Sequence, residues 1–236
     1  MATLLEWQQR QWSPLVFGGL LRDVLITGVR SNPRDIDIVV RSGSTHELEL
    51  ILRQYIQRRN RFGGLHLQLN NWNMDVWPLD QTWAFASGTG MAATPENLPK
   101  TTFLNVEAIA ISLTSNGDLG RIFEHGFFEA LQTRVVDINY ECNPYPALSA
   151  VRALATALKL RYAISPRLSR YIIETHDSCG SEAMAKAQES HYGWVRFRQH
   201  DIESMVAHLN DRLHSSPDAA IKLPQLEQHQ LSLWKE

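Results

Sequence analysis

Cysteine is nearly absent: Cys142 and Cys179 are the two among 236 residues, too few for a disulfide framework and in keeping with a reducing compartment. Neither sign of charge is in excess, since 23 Lys and Arg stand against 25 Asp and Glu for a formal net charge of −2. A pI near 6.5 excludes an all-over basic coat for holding a polyanion, so any contact with nucleic acid is local. No stretch approaches the roughly 18 apolar residues of a membrane helix. Residues 1–11, with Glu6 and several glutamines, lack the basic start and apolar run of a secretory signal. The G-x-S-x-G, P-loop and G-x-G-x-x-G patterns are missing, which removes support for hydrolase and dinucleotide-binding readings. His176 and Cys179 have metal-pair spacing, yet no second pair of ligands lies near them in the sequence, so no structural zinc is expected. The remaining composition, 44 % hydrophobic and 20 % charged with a mean hydropathy of −0.26, is that of a folded chain with no membrane class. A cytoplasmic protein is the expectation.

Periodicity divides the chain. From Leu15 to about Val136, short apolar runs alternate with helical patterns, and Leu15-Val16-Phe17 ends at Gly18-Gly19. Ser44-Thr45-His46-Glu47 has capping-box spacing ahead of Leu48, Ile51, Leu52, Tyr55 and Ile56, which predicts a helix through those residues. Leu65 to Asn70 and Asn73 to Trp77 read as adjacent strands joined by a short turn. Ser87 to Lys100 reads as a long mobile surface loop, Phe103 to Leu113 as strand, and Ser115-Asn116-Gly117-Asp118 as a turn. After Asn143-Pro144 the pattern turns helical, with Pro166 opening a second helix. The expected organisation is a head over residues 1–143, a helical domain over 144–214 and a loosely attached tail over 215–236.

Asp35-Ile36-Asp37-Ile38 is the most informative stretch. In a strand, alternate side chains share a face, so both carboxylates lie on one side and both isoleucines on the other, in the core. Two neighbouring carboxylates repel unless a cation lies between them, and oxygen donors of this kind select a hard ion such as Mg²⁺. Two solvated aspartates at a strand end are the alternative. Gly18-Gly19 sits between a short strand and a helical run. There, backbone N–H groups can approach a triphosphate and the helix terminus adds partial positive charge. A plain tight turn is the alternative, and Gly63-Gly64 is a second such pair. The alternation of Asn73-Met74-Asp75-Val76-Trp77 points Asp75 away from Met74 and Val76. If that strand lies beside the Asp35 strand, three carboxylates converge, as two-metal phosphoryl transfer requires. Arg22 suits a phosphate clamp or an ion pair with a neighbouring carboxylate. Arg53, Arg58, Arg59 and Arg61, near a helix end, and Trp72, Trp77 and Trp83 are candidates for guiding a single strand. His191 to His200, basic and aromatic, are further candidates.

Phe17-Gly18-Gly19-Leu20-Leu21-Arg22-Asp23-Val24-Leu25, followed by Arg34-Asp35-Ile36-Asp37-Ile38-Val39, resembles the signature of the DNA polymerase β-like nucleotidyltransferase superfamily. Within it, the pattern is similar to the head of bacterial poly(A) polymerases and class II tRNA CCA-adding enzymes. The resemblance runs from about Pro14 to Ser165 and is strongest at the start. Leu104 to Ala110 stands where the family has its phenylalanine-threonine-isoleucine-asparagine-alanine motif, with Glu107 in the place of the asparagine. Thr133 to Val136 resembles the strand that closes the head. Ala147 to Ile164, carrying Arg152, resembles the helix beside the nucleotide pocket, with Ser149 and Ala155 where further arginines are usual. The acidic-arginine pair that reads the incoming base has no counterpart.

The resemblance implies Asp35 and Asp37 as Mg²⁺ ligands, Asp75 as the third carboxylate beside the attacking hydroxyl, and Gly18 and Gly19 as the phosphate cradle. It implies Arg22 and Asp23 as polar contacts to the nucleotide, with Arg34 and Arg152 as further triphosphate contacts. The expected fold is α/β (α+β), a mixed sheet with helices against one face, followed by the helical domain. The expected activity is transfer of a nucleoside monophosphate from an NTP to a hydroxyl, with an RNA 3′ end or tRNA as the leading acceptor. A catalytically silent relative that binds nucleotide, RNA or a partner protein is the second reading, and a metal-dependent glycosyltransferase the third.

Overall fold

The computed structural model describes residues 12–28, 35–41, 44–59, 63–69, 72–88, 90–114 and 116–224. They divide into two compact units, Met1–Phe128 and Glu129–Glu236.

The first unit is built on a seven-stranded mixed sheet: β1 (Ser13–Phe17), β2 (Ile36–Arg41), β3 (Ile56–Arg59), β4 (Leu65–Leu69), β5 (Trp72–Pro78), β6 (Ile109–Leu113) and β7 (Leu119–Glu124). The order across it is β3-β4-β5-β2-β1-β6-β7. β2 and β5 run parallel, and the remaining neighbours are antiparallel. Helix α1 (Gly19–Thr27) leaves the end of β1, α2 (Thr45–Leu52) follows β2, and the short α3 (Trp83–Ala86) follows β5.

Alternation along β2 sorts the core as expected. Ile38 and Val40 are buried with Leu48 and Leu52 of α2 and with Leu65, Leu67 and Val76 of the neighbouring strands. The opposite face carries Val39, buried with Leu15, Ala110, Leu79 and Leu98. That second face is thus covered too, by chain outside any long helix. Leu98 and Pro99 are buried, and Leu98 N–H donates to Thr94 O. The stretch expected as a mobile surface loop is therefore anchored through Leu98, whose apolar side chain supplies the missing cover of the sheet.

Helix α2 starts where its capping box predicts, with Ser44 Oγ accepting from Glu47 N–H. It ends at Leu52, and Ile56 opens β3 instead. The apolar spacing of Tyr55 and Ile56 suits a helix, but both pack on the same core from β3 and its approach. Phe103 to Ala108 holds a 3-10 turn, Asn105–Glu107, and strand begins at Ile109.

Gly64 lies opposite Trp77, since Leu65 pairs with Val76 in the β4–β5 ladder. A Cβ at Gly64 would stand 2.0 Å from the Trp77 indole nitrogen. Gly64→Ala is therefore expected to destabilise the chain by about 1–3 kcal/mol, measured by urea unfolding. Gly63→Ala meets no such neighbour, but its φ of 85° makes it a test of backbone strain alone.

The second unit carries α4 (Phe127–Thr133) from Glu129 onward, α5 (Pro146–Leu160), α6 (Pro166–Tyr192, broken at Gly180) and α7 (Gln199–Ser215). Pro166 opens α6 as expected, with Ser165 Oγ accepting from Leu168 N–H. Val135–Val136 (β8) pairs in parallel with Ala163–Ile164 (β9). This strand, expected to close the head, is grouped with the second unit. Ile221 is buried and forms a bridge with Ile164, so the expected loose tail is tied down there by an apolar side chain. Residues 225–236 lie outside the described residues. Arg196, over the Phe197 ring, has its guanidinium pushed down to about 10 by burial and still carries its charge at neutral pH. Among the described residues, no helix is long and apolar enough to cross a membrane.

Candidate functional site

Strand register brings the sequence motifs together. Asp37 stands opposite Asp75 in the parallel β2–β5 pair and opposite Phe17 in the β1–β2 pair. Residues paired across a ladder share a face, so Asp37 and Asp75 are neighbours on one side of the sheet. Asp35 immediately precedes β2. Each of the three is partly exposed.

Because β1 ends at Phe17, the glycine turn follows directly beside Asp37. A Cβ on Gly18 would lie 3.9 Å from Asp37 Oδ2, which places Gly18 against the Asp37 carboxylate. Gly18 has φ 79° and ψ −141°, a conformation essentially reserved for glycine. Its N–H donates to Ile109 O at 3.0 Å, and its carbonyl accepts from Leu21 N–H. The two glycines accordingly have different tasks. Gly18 shapes the turn with its own amide already engaged, while Gly19 opens the nine-residue α1, whose first-turn amides point outward from the helix end.

Arg22 and Asp23, expected as contacts to the nucleotide, are tied into an ion-pair cluster. The Arg22 side chain is only 7 % exposed, and its Nη1 lies 3.2 Å from Glu107 Oε1. Its Nε donates to Asp23 Oδ1 at 2.9 Å, and Nη2 lies 2.9 Å from the same oxygen. A Cβ at Gly19 would come within 3.3 Å of Arg22 Nη2. The guanidinium thus braces the glycine turn from beneath, with its fork on carboxylates. Glu107 shares this guanidinium with Asp23. It is on the 3-10 turn before β6, 85 residues from Arg22.

The third carboxylate has a partner that the sequence did not announce. His66 pairs with Asp75 in the β4–β5 ladder, and His66 Nδ1 lies 2.9 Å from Asp75 Oδ1. A carboxylate only accepts, so the imidazole N–H donates. Among the described residues, no three His, Cys, Asp or Glu side chains gather closely enough to hold a metal ion between them. Asp75 takes its place beside Asp37, and one of its oxygens is engaged by His66 of β4, the strand on its far side. The signal for His66 was in the alternation of Leu65-His66-Leu67-Gln68-Leu69, which faces the histidine away from the buried leucines.

Arg34 falls outside the described residues. Arg152 is exposed on α5, in the second unit. Of the arginines expected at a helix end, Arg58 and Arg59 instead belong to the edge strand β3, where Arg59 pairs with Glu49. Trp77 lies over Gly64, and Trp72 is exposed.

No family model and no curated protein matches the chain. Solved structures do. A tRNA nucleotidyltransferase complexed with a primer tRNA and an incoming ATP analogue is 14 % identical with a TM-score of 0.62, over 89 % of this chain and 61 % of that one. A CCA-adding enzyme in complex with CTP is 17 % identical, TM-score 0.61, over 91 % and 52 %. The Thermotoga maritima CCA-adding enzyme complexed with tRNA is 18 % identical, TM-score 0.60, over 91 % and 51 %. The chain spans about half to three-fifths of the length of these enzymes. At such identities the likeness is one of architecture: this chain has the fold of the tRNA nucleotidyltransferases.

Proposed function

We propose that the chain transfers a nucleoside monophosphate from an NTP to a hydroxyl acceptor, with an RNA 3′ end as the leading acceptor class. The observation that carries this reading is the juxtaposition of the Gly18 turn with Asp37, 3.9 Å from a Cβ position to a carboxylate oxygen, with Asp75 as the next residue along the row. A triphosphate lying on the start of α1 would meet amide dipoles on one side and the acidic row on the other.

The donor set suits Mg²⁺. Asp35 and Asp37 offer only hard oxygen donors, and Mg²⁺ takes one or two protein carboxylates, completing its shell with water and phosphate oxygens. In this reading Asp35 and Asp37 would hold the ion, which when bound would supply charge neutralisation at the α-phosphate. The acceptor oxygen bonds to the α-phosphorus, the bond from that phosphorus to the bridging oxygen breaks, and pyrophosphate departs with the electron pair. The hydroxyl proton passes to Asp75. Arg22 and Glu107 hold the glycine turn in place, and the chain's contribution is positioning and preset electrostatics.

The fold supports this reading, as do the tRNA and nucleotide complexes of the proteins that share it. The test is incubation with Mg²⁺, each α-labelled NTP in turn and total RNA. Label is expected in RNA, and withdrawal of Mg²⁺ by EDTA is expected to stop its entry. A catalytically silent relative is the second reading, favoured by the carboxylate-locked Arg22. It is indicated instead if the protein binds NTP in calorimetry yet labels no RNA.

A further inference from the structure

Across the middle of the first unit's sheet, one row of paired residues runs His66 on β4, Asp75 on β5, Asp37 on β2 and Phe17 on β1. Neighbours in such a row have Cβ atoms about 4.5–5.5 Å apart, and like charges directly opposite repel. Asp75 therefore has an acid on one side and a histidine on the other. Its Oδ1 is engaged by His66 Nδ1 at 2.9 Å, with the two side chains 17 % and 23 % exposed.

We infer that His66 is a positioning residue for nucleotidyl transfer, one that holds the Asp75 carboxylate toward β4 and apart from the Asp35–Asp37 pair. This inference rests on the function proposed above. With Oδ1 committed to His66, Oδ2 remains to receive the acceptor hydroxyl, so Asp75 orients the nucleophile and leaves the cation to the other two acids. Without the donor, Asp75 would be free to rotate about its side-chain torsions, and the hydroxyl would lose its fixed acceptor. Loss of a hydrogen bond that orients an active-site group typically costs about 10- to 100-fold in activity.

The test compares the full chain with His66→Leu and His66→Asn, in wild-type and Asp75→Asn backgrounds, by steady-state transfer of labelled nucleotide to RNA. His66→Leu is expected to lower kcat about 10- to 100-fold while leaving KM for the NTP within about twofold, because binding at the glycine turn is untouched. His66→Asn retains a side-chain N–H near the Nδ1 position and is expected to recover most of the loss. In the Asp75→Asn background, His66→Leu is expected to add little, since both changes remove one interaction. His66→Phe keeps the ring without the donor and replaces His66→Leu if the latter does not fold. Wild-type kcat in His66→Leu or His66→Phe, or full additivity with Asp75→Asn, would overturn the role of His66 while leaving the proposed function standing. Absence of transfer by the wild-type chain itself would remove both.

Discussion

Asp37→Asn is expected to lower nucleotide transfer to RNA by about 100- to 1000-fold or more, the range seen when one preset electrostatic contact to a transition state is lost. The substitution is nearly isosteric and removes a full negative charge from the row that faces the glycine turn. An amide oxygen is a poorer donor to Mg²⁺ than a carboxylate, so under the proposed function charge neutralisation at the α-phosphate would be weakened. Asp35→Asn is expected to behave alike, and the double variant to lose little beyond the worse single, because the two acids act on one ion. Circular dichroism and thermal melting verify that the variants are folded. Retention of transfer by Asp37→Asn would refute the assignment of the ion to this pair. The same result would leave the fold intact, since the strand is held by Ile38, Val39 and Val40 on its two faces.

Arg22→Met is expected to destabilise the chain by about 1–3 kcal/mol, the cost of removing the guanidinium from two partly buried carboxylates. Glu107 and Asp23 are 14 % and 18 % exposed at the side chain, too enclosed for water to replace the guanidinium fully. Glu107→Gln in the Arg22→Met background is expected to recover part of the loss, because it removes one stranded charge. Urea unfolding reads both effects. A loss below about 1 kcal/mol would mean that the cluster behaves as a solvent-exposed ion pair, and that the brace beneath Gly19 is not built from it. The two expectations separate well: Asp37 is a change in chemistry with the fold kept, and Arg22 a change in stability with the acidic row kept.

Much of the first unit was legible in the chain itself, for reasons that differ from residue to residue. Ser44 caps its helix because a side-chain oxygen can satisfy an orphan amide wherever that helix is placed. Ile38 and Asp37 face opposite ways because a strand alternates whatever lies beside it. The glycine turn was recognisable from composition, yet its division of tasks was not. That Gly18 N–H is spent on Ile109 O depends on β6 arriving from more than ninety residues away, and no local pattern records it. The helix expected through Ile56 shows the reverse problem. Apolar residues at helical spacing also satisfy a helix end followed by a strand when both pack on one core. The anchoring of the loop at Leu98 is not legible in sequence, because its neighbours are small and polar and the leucine itself looks ordinary.

His66 and Glu107 mark the boundary between the two kinds of knowledge. Had the short connection between β4 and β5 been taken literally, pairing Leu69 with Trp72 would have set His66 opposite Asp75. Glu107 offered no such arithmetic. Its carboxylate meets Arg22 because α1 and the turn before β6 are brought together by β1 pairing with β6.

The amino-acid sequence by itself determined where helices begin, which side of each strand is acidic and which apolar, and that glycines and aspartates of nucleotidyltransferase type stand in the right order. Only the tertiary structure decided that β5 lies beside β2, and hence that Asp75 has Asp37 on one flank; the short turn between β4 and β5 already placed His66 on the other. Period and capping are local properties of backbone geometry. Strand order is settled by the burial of the whole apolar set at once, and charges far apart in the chain become neighbours only as a consequence of it.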